Sequence, residues 1–538
     1  MRLRIVQRMA TPLGIVALIA IVISAPVRPV AAQATQPGCG GQINSATNAD
    51  SQSVNPLYGN DTGTVWRTDQ MFDSLVALDW QTVKPVPLLA ESWQISGDGT
   101  TYTFLLRNGP KWPDGTPLTA NDFAFTLQTI LAPAYTGPWQ GLFRDIVGAD
   151  KAIAGQAQRI DGVRVLNNRS FQIQLARPNA AFLAVAARHL KPIPAHMLQG
   201  QKLTPEHPFM QQPVGVGAYR LVEWVKGDHI LFEAKPDYWG PPVCARRLHD
   251  RFITDMNALA LALESGDVDQ IAPVSPRDLI RMRSNPNIKL YFPPAARMDA
   301  IYFNLQKKEL SDARVRQAVA MTLNLKEFAT NVLAGLQAPV FSPVVSTSWA
   351  YDAAIRQPDQ DLEKAKSLLT EAGYPNGFTV TVGANSGNTT REQMATYLQA
   401  QVAKIGIKAN VQLNEWSTFI TGVTDGKFEM VVLSAFAGVP DPDTLYADYH
   451  SKGASNSGKY SNPRVDQLLE EARTVPDLER RRAIYKEAEQ LIVRDLPRVS
   501  AYEYLGAFAT RANISNVRVS VVGDFTGQKW DLRNWQKR

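Results

Sequence analysis

The sequence predicts an α/β protein built from two or more lobes, and three observations lead to this prediction. Helices and strands alternate in the second half of the chain, in the order Leu362–Ala372, Phe378–Gly383, Thr390–Ile405 and Ile407–Leu413. Such alternation is typical of an α/β lobe. The region up to about Leu198 mixes strands with helices less regularly. The chain of 538 residues is also too long for a single hydrophobic core.

The N-terminus has the three parts of a secretory signal peptide. Three arginines among the first eight residues supply basic charge, Leu13–Ile23 is an apolar run of 11 residues, and Ala32-Gln33-Ala34 is a cleavage site of the A-x-A type. The apolar run is too short for a stable spanning helix. The sequence therefore predicts a signal peptide over residues 1–34 and a secreted mature protein, with a retained membrane anchor as the alternative.

The charge of the chain argues against nucleic-acid binding. The sequence has 56 Lys and Arg and 50 Asp and Glu residues. The predicted signal peptide holds four of the basic residues and none of the acidic ones, which leaves 52 against 50, a net charge of +2. There is no long basic stripe, so we expect no nucleic-acid partner. No second apolar run reaches the roughly 18 residues of a membrane span.

The two cysteines, Cys39 and Cys244, are predicted to form a disulfide, because an even number of cysteines in a secreted protein usually pairs. The bond would join the mature N-terminus to a strand of the first lobe. Two alternatives remain open. Cys39 could carry a lipid, although the preceding Gln36-Pro37-Gly38 lacks the usual leucine and small residue, or both thiols could be free.

One stretch has the strongest local pattern in the chain. Ser96–Gly99 is predicted to be a turn of small and polar residues, and Thr101–Leu106 is a strand rich in β-branched and aromatic residues. Pro113–Gly115 is a second turn. Thr119 is then predicted to cap a helix, with Asp122 three residues later in a capping-box position.

Four segments in and around this stretch resemble the signature of the family-5 solute-binding proteins: Leu89–Trp93, Ser96–Arg107, Lys111–Pro117 and Thr119–Asp122. These proteins are the dipeptide-, oligopeptide- and nickel-binding receptors of ABC transporters. In that family the signature identifies the fold and does not hold the ligand. The resemblance extends over essentially the whole mature chain.

The resemblance implies a two-lobe periplasmic-binding-protein (Venus flytrap) fold with an extra small subdomain in the first lobe. Lobe one would comprise residues 35–298 and include the subdomain at about 72–198. Lobe two would comprise residues 299–500, and residues 501–538 would return to lobe one.

The resemblance also implies which residues bind the ligand. They lie in an early loop, in the small subdomain, after the Ile407–Leu413 strand and after the Phe428–Leu433 strand, and they are Asn60, Asp61, Thr62, Tyr135, Trp139, Trp416, Phe436, Gly438 and Asp441. For the aromatic residues Tyr135, Trp139 and Trp416, packing in the core is the alternative.

One position departs from the peptide-binding members. The aspartate that anchors the α-amino group of the peptide is replaced here by Gly438. A buried amine without a carboxylate partner is costly. Either Asp441 or Asp61 takes this role, or the ligand has no free amino group, as in an oligosaccharide. Asp441-Pro442 could also be a helix start, with Asp441 as the cap.

The sequence lacks the motifs of the common enzyme classes. Its six histidines form no H-E-x-x-H motif, and there is no G-x-S-x-G. Gly453–Lys459 fits the phosphate-loop pattern, but Tyr460 follows where Ser or Thr is required, so we interpret this segment as a polar loop. No cofactor and no metal site are predicted.

The sequence and the resemblance together predict a substrate-binding protein of an ABC importer. It would act as a monomer in the periplasm or on the extracellular face of the membrane and deliver its ligand to the permease. A peptide is the favoured ligand, and an oligosaccharide or another non-peptide solute is the alternative. A ligand sensor without a transport role and a secreted hydrolase are the other hypotheses considered.

Overall fold

The computed structural model describes Cys39 and residues 41–51, 53–59, 62–80, 84–204, 206–292, 294–333, 335, 337–436, 441–453, 455–475, 477–505, 507–519 and 532–538. The predicted signal peptide and the site residues Asn60, Asp61 and Gly438 lie outside these residues.

The strands, in chain order, are β1 Gln42–Thr47, β2 Val76–Leu78, β3 Pro85–Pro87, β4 Ala90–Ile95, β5 Thr101–Leu106, β6 Val163–Asn167, β7 Ser170–Gln174, β8 Tyr219–Val225, β9 His229–Ala234, β10 Arg247–Phe252, β11 Gln270–Ala272, β12 Ile288–Tyr291, β13 Pro294–Phe303, β14 Ala338–Pro339, β15 Thr379–Asn385, β16 Lys408–Asn414, β17 Met430–Phe436, β18 Arg498–Leu505, β19 Phe508–Arg511, β20 Ile514–Ser515 and β21 Gln536–Lys537.

The helices are α1 Thr62–Met71, α2 Ala120–Ile130, α3 Ala149–Ile153, α4 Phe182–His189, α5 Ala195–Leu198, α6 Pro208–Gln211, α7 Met256–Ser265, α8 Pro276–Met282, α9 Ala313–Ala320, α10 Leu325–Asn331, α11 Leu362–Glu371, α12 Thr389–Ala403, α13 Trp416–Thr424, α14 Thr444–Tyr449, α15 Pro463–Thr474 and α16 Leu478–Asp495.

Three sheets organise these elements. A seven-stranded sheet has the order β12-β19-β11-β1-β10-β9-β8, a four-stranded sheet has the order β4-β5-β7-β6, and a six-stranded sheet has the order β14-β18-β13-β17-β15-β16. We call the first two sheets with their helices the first lobe, and the six-stranded sheet with its helices the second lobe. The four-stranded sheet is the small subdomain of the first lobe.

The chain crosses between the lobes twice. It leaves the seven-stranded sheet at Tyr291 and enters the six-stranded sheet at Pro294, and it returns between Leu505 and Phe508. The predicted boundaries at residues 298 and 501 therefore fall inside strands β13 and β18. Both strands belong to the six-stranded sheet, and the connections between the sheets are only a few residues long.

The stretch that carries the family signature forms the core of the small subdomain. Phe104 in β5, Phe123 in α2 and Phe171 in β7 are fully buried. The rings of Phe104 and Phe123 each lie 5.3 Å, centroid to centroid, from the ring of Phe171. Thr119 donates its backbone N–H to the Asp122 carboxylate at 2.8 Å, as expected at this end of α2. The signature residues therefore build a scaffold.

A disulfide joins Cys39 to Cys244, with the two Cα atoms 4.5 Å apart. Cys39 precedes β1 and Cys244 precedes β10, and these two strands pair in parallel. The bond therefore holds the segment before β1 beside the seven-stranded sheet. None of the described helices is long and apolar enough to cross a membrane.

Candidate ligand-binding site

The second lobe presents the ends of three parallel strands at one edge of its sheet. Strands β15, β16 and β17 run parallel and end at Asn385, Asn414 and Phe436. Strand β13 runs antiparallel to β17, with Arg297 opposite Phe436, so β13 begins at this edge, directly after the first crossing. In open α/β sheets, ligands bind outside the carboxyl ends of the strands. This edge is therefore the candidate binding surface of the second lobe.

The first lobe has the corresponding edge. Strand β1 is parallel to both β10 and β11, so Thr47, Phe252 and Ala272 end on the same side of the sheet. Strand β12 runs in the same direction, because both β11 and β12 are antiparallel to β19, and it ends at the first crossing. The predicted residue Thr62 follows β1 along the chain and is the first residue of α1.

A buried polar network lies behind the edge of the second lobe. Asp299 in β13 is fully buried and accepts a hydrogen bond from the Tyr502 hydroxyl at 2.8 Å. Arg391 in α12 places Nε 3.4 Å from Asp299 Oδ2. It donates from Nη2 to Ser434 Oγ at 2.5 Å and from Nη1 to Asn385 Oδ1 at 2.7 Å. These bonds fix the guanidinium group at the ends of β15 and β17.

A second arginine and an exposed tryptophan complete this surface. Arg297 donates from Nε to Ser434 Oγ at 2.7 Å, and its Nη2 lies 4.0 Å from Asp299 Oδ1. The Trp416 ring, whose centroid is 5.8 Å from the Arg391 guanidinium carbon, is 49% exposed. Both guanidinium groups therefore lie beside the Asp299 carboxylate. An exposed aromatic ring next to a guanidinium group suits a carboxylate-bearing solute.

The structure places the predicted residues Tyr135 and Trp139 in packed positions. Tyr135 is 8% exposed, its hydroxyl donates to Leu57 O at 2.5 Å, and burial raises its pKa. Trp139 is partly buried against the same core and donates from Nε1 to Pro56 O at 2.8 Å. Both side chains satisfy backbone carbonyls of the segment after β1, because buried carbonyls need donors. Their role is to support that segment.

The carboxylate of Asp441 is already paired. Arg481 in α16 donates to it from Nη1 at 3.0 Å and from Nη2 at 2.8 Å. The backbone N–H of Asp443 donates to Asp441 Oδ1 at 2.9 Å. Helix α14 begins at Thr444, and Asp443 at the cap position makes no side-chain cap bond, so the hydrogen bond that Asp441 accepts is in keeping with the alternative role of Asp441 at a helix start. To anchor an amine, Asp441 would have to share its carboxylate with Arg481.

The sequence interpretation missed Arg297, Asp299 and Arg391. One signal was available, since Asp299 is a charged residue inside the otherwise apolar run Met298–Phe303, and buried carboxylates require partners. Its partner Arg391 is 92 residues away, and no local pattern joins the two.

Among the described residues, no group of three or more His, Cys, Asp or Glu side chains could hold a metal ion. Gly453–Lys459, apart from its undescribed residue 454, lies between helices α14 and α15, whereas a phosphate loop follows a strand.

Comparison with known proteins identifies the relatives of this chain. It is 29% identical to the dipeptide-binding protein of Escherichia coli over 473 residues, which cover 84% of each protein. It is also 29% identical to the dipeptide-binding protein of Pseudomonas aeruginosa over 449 residues, 79% of this chain and 83% of that one.

Solved structures agree with this comparison. The periplasmic binding protein DppA from Helicobacter pylori, in complex with the peptide STSA, matches with a TM-score of 0.79 and 25% identity, over 93% of this chain and 98% of that one. The dipeptide-binding protein from Pseudoalteromonas sp. SM9913, in complex with Met-Leu, matches with a TM-score of 0.75 and 26% identity, over 92% and 100% of the chains.

The family model of the bacterial extracellular solute-binding proteins, family 5, matches residues 84–457, well over half of the chain. The chain therefore belongs to the family-5 bacterial extracellular solute-binding proteins and has their two-lobe fold.

Proposed function

We propose that this protein is the substrate-binding component of an ABC importer and that its solute is a short peptide with a free C-terminal carboxylate. The observation that carries the proposal is the exposed Trp416 ring beside Arg391, whose guanidinium group lies with that of Arg297 next to the Asp299 carboxylate. The relatives named as dipeptide-binding proteins support the peptide class.

The arginines and the tryptophan would divide recognition between them. A guanidinium group binds a carboxylate through charge-assisted, planar hydrogen bonds, which suits the C-terminus of a peptide. An exposed aromatic ring offers apolar area to a side chain or to the flat peptide group at little conformational cost. Neither contact depends on a particular side chain of the peptide, so we expect the receptor to bind short peptides of varied sequence.

The lobes would close over the peptide. Contacts from both sheet edges exist together only in a closed form, so a bound solute shifts the population toward closure. The closed form would then dock on the membrane permease, outside the cytoplasmic membrane, with the receptor acting as a monomer. The relatives, which are solute-binding proteins, support a binding role.

A second candidate ligand is a carboxylate-bearing solute without an amino group. The observation that favours it is the engagement of Asp441 by Arg481, which leaves this carboxylate poorly suited to anchor an amine. An uncharged oligosaccharide fits less well, because it offers no carboxylate to the Arg391 guanidinium group beside Trp416.

Calorimetric titration with matched dipeptides tests the proposal. We expect Met-Leu to bind and its C-terminal amide to bind at least about tenfold more weakly, since a hydrogen bond to a charged group is worth about 1.5–3 kcal/mol. N-acetyl-Met-Leu is the matched control for the amino end. If it binds as well as Met-Leu, the amine-free candidate is favoured. Equal affinity for the acid and the C-terminal amide would contradict the carboxylate assignment.

A further inference from the structure

A contact between the lobes lies away from the two crossings. Arg473, in the last turn of α15 in the second lobe, places Nη2 3.3 Å from Asp145 Oδ2 in the small subdomain. Its backbone carbonyl accepts a hydrogen bond from the Ala180 N–H at 3.0 Å. The Arg473 and Asp145 side chains are only 14% and 24% exposed. A partly buried contact that combines an ion pair with a backbone hydrogen bond is stronger than an exposed ion pair.

Each side of this contact is held by its own lobe. On the subdomain side, Ala176 donates its N–H to Asp145 O at 2.8 Å, and Arg177 pairs with Asp145 Oδ1 at 3.1 Å. On the other side, the Arg473 guanidinium lies over the Tyr446 ring, 4.4 Å from its centroid. Neither residue can follow its partner if the lobes separate, so opening must break the contact.

Arg473 also contacts the segment that leads from the binding edge. Its Nε lies 3.0 Å from Asp443 Oδ1, and Asp443 lies between β17 and α14 along the chain. Asp443 donates its N–H to Asp441, which is itself held by Arg481. One arginine therefore links α15, the segment from Asp441 to Asp443, and the small subdomain.

We propose that Arg473 is a positioning residue for solute capture, which stabilises the closed arrangement of the lobes by bonding Asp145 while it holds Asp443 in place. The proposal rests on the proposed function, because it assigns Arg473 a share in the affinity for the solute. That share is indirect: the contact raises the population of the closed, binding-competent form, and the apparent affinity rises in proportion.

The charges around Asp443 give the proposal a pH dependence. Burial raises the pKa of Asp443 to about 6, and Arg473 opposes this shift. The other charged or titratable groups that face Asp443 are Asp441, Asp145, Arg481 and Tyr485. Opening removes Asp145 and admits water, and both changes lower the pKa toward its ordinary value of 3.8. The closed form therefore binds more protons, and solute affinity should fall as pH rises between about 4 and 6.

A double-mutant cycle on the full mature chain tests this role. The variants are Arg473→Met, Asp145→Asn, the double variant and the conservative Arg473→Lys. The control is Arg480→Met, which removes an arginine whose side chain is 67% exposed. Small-angle scattering of the solute-free protein reports lobe separation, calorimetry reports Met-Leu affinity, and thermal melting reports stability.

We expect Arg473→Met and Asp145→Asn each to increase the solute-free radius of gyration and to weaken Met-Leu binding by about fivefold. The double variant should be no worse than either single variant, Arg473→Lys should recover most of the loss, and Arg480→Met should behave as wild type. Asp443→Asn should flatten the pH profile of affinity.

The scattering result separates this proposal from the peptide assignment. Coupled changes in the radius of gyration support the role of Arg473 even if Met-Leu does not bind, in which case only the peptide assignment fails. If Arg473→Met lowers the melting temperature while Asp145→Asn changes neither the radius nor the affinity, Arg473 is a structural residue of the second lobe and the proposal is overturned.

Discussion

The two lobes each contain a buried aspartate paired with an arginine, and the two pairs differ in what surrounds them. In the first lobe, Arg67 donates from Nη2 to Asp250 Oδ2 at 2.5 Å, and the two side chains are 1% and 0% exposed. Ser51 and Thr47 accept the remaining guanidinium bonds, and the Phe252 ring covers the guanidinium group at 4.7 Å. One charge neutralises the other, and no donor faces solvent.

The arginine–aspartate pair in the second lobe lies next to an exposed aromatic ring. Asp299 is shared by Arg391 and Arg297, and the aromatic ring beside Arg391, that of Trp416, is half exposed. The difference shows how a buried charge pair can form part of a binding surface: a second arginine lies beside the same carboxylate, and an exposed ring leaves apolar area uncovered. The first pair should therefore act mainly on stability, and the second mainly on solute affinity.

Arg67→Met should give the largest effect, because it breaks the Arg67–Asp250 pair. It leaves Asp250 buried without its cation, which typically costs about 3–5 kcal/mol in the free energy of unfolding. Denaturant unfolding measures the loss, and affinity for Met-Leu should stay unchanged in the folded fraction. Arg144→Met is the matched control, since the Arg144–Asp150 pair is 67% and 70% exposed and should cost less than about 1 kcal/mol. Similar losses in both variants would contradict this distinction.

Glu489→Gln sharpens the comparison, because Glu489 in α16 is a buried carboxyl without an arginine. It is 0% exposed, Ser342 donates to its Oε2 at 3.4 Å, and burial raises its pKa to about 8. The folded state thus holds a proton that the unfolded state loses near the ordinary pKa of 4.5.

The sign of the pH effect follows from this difference in bound protons. The free energy of unfolding should fall as pH rises from about 4.5 to 8, by at most about 1.4 kcal/mol per pH unit. Denaturant unfolding across this range should show a shallower slope in Glu489→Gln than in wild type. Identical slopes would mean that Glu489 is not protonated in the folded protein.

Arg297→Met should lower the solute affinity and leave the stability nearly unchanged, because it removes only one of the two arginines beside Asp299. Arg391 still neutralises Asp299 in this variant, so the unfolding free energy should change by less than about 1 kcal/mol. Met-Leu affinity should fall by about tenfold, the equivalent of one lost charge-assisted hydrogen bond. The C-terminal amide of Met-Leu should bind equally to wild type and variant. A loss of the same size for acid and amide would contradict carboxylate recognition by Arg297.

Trp416→Ala should have the smallest effect. The ring is half exposed, so its removal should leave the melting temperature of the solute-free protein unchanged. Affinity should fall by about 0.5–1.5 kcal/mol, the usual value of an aromatic contact. A large loss of stability with unchanged affinity would show that Trp416 packs in the core.

Local patterns in the sequence predicted several elements of the secondary structure. The cap of α2 at Thr119, the β5 strand and the alternating elements from α11 to β16 depend on neighbouring residues, and the structure contains them. The resemblance supplied the two-lobe architecture. The boundaries between lobes were displaced by a few residues, because an apolar segment predicts a strand without telling which sheet it joins.

The site was harder to predict, because its side chains are brought together by long-range pairing. Asp441 is 40 residues from Arg481, and Tyr135 is 78 residues from the Leu57 carbonyl that it bonds. From the sequence alone, aromatic residues and carboxylates in loops resemble binding-site residues, because their partners in the fold are not known. Only the fold shows that Tyr135 is packed, that Asp441 is paired and that Trp416 is exposed.

Native mass spectrometry of the freshly purified protein, with release and identification of what it carries, tests the central claim most directly. A population of short peptides with free C-terminal carboxylates is the predicted result. Loss of these peptides in Arg297→Met would attribute solute capture to the arginines beside Asp299. A bound solute without a carboxylate, such as a neutral oligosaccharide, would contradict the account.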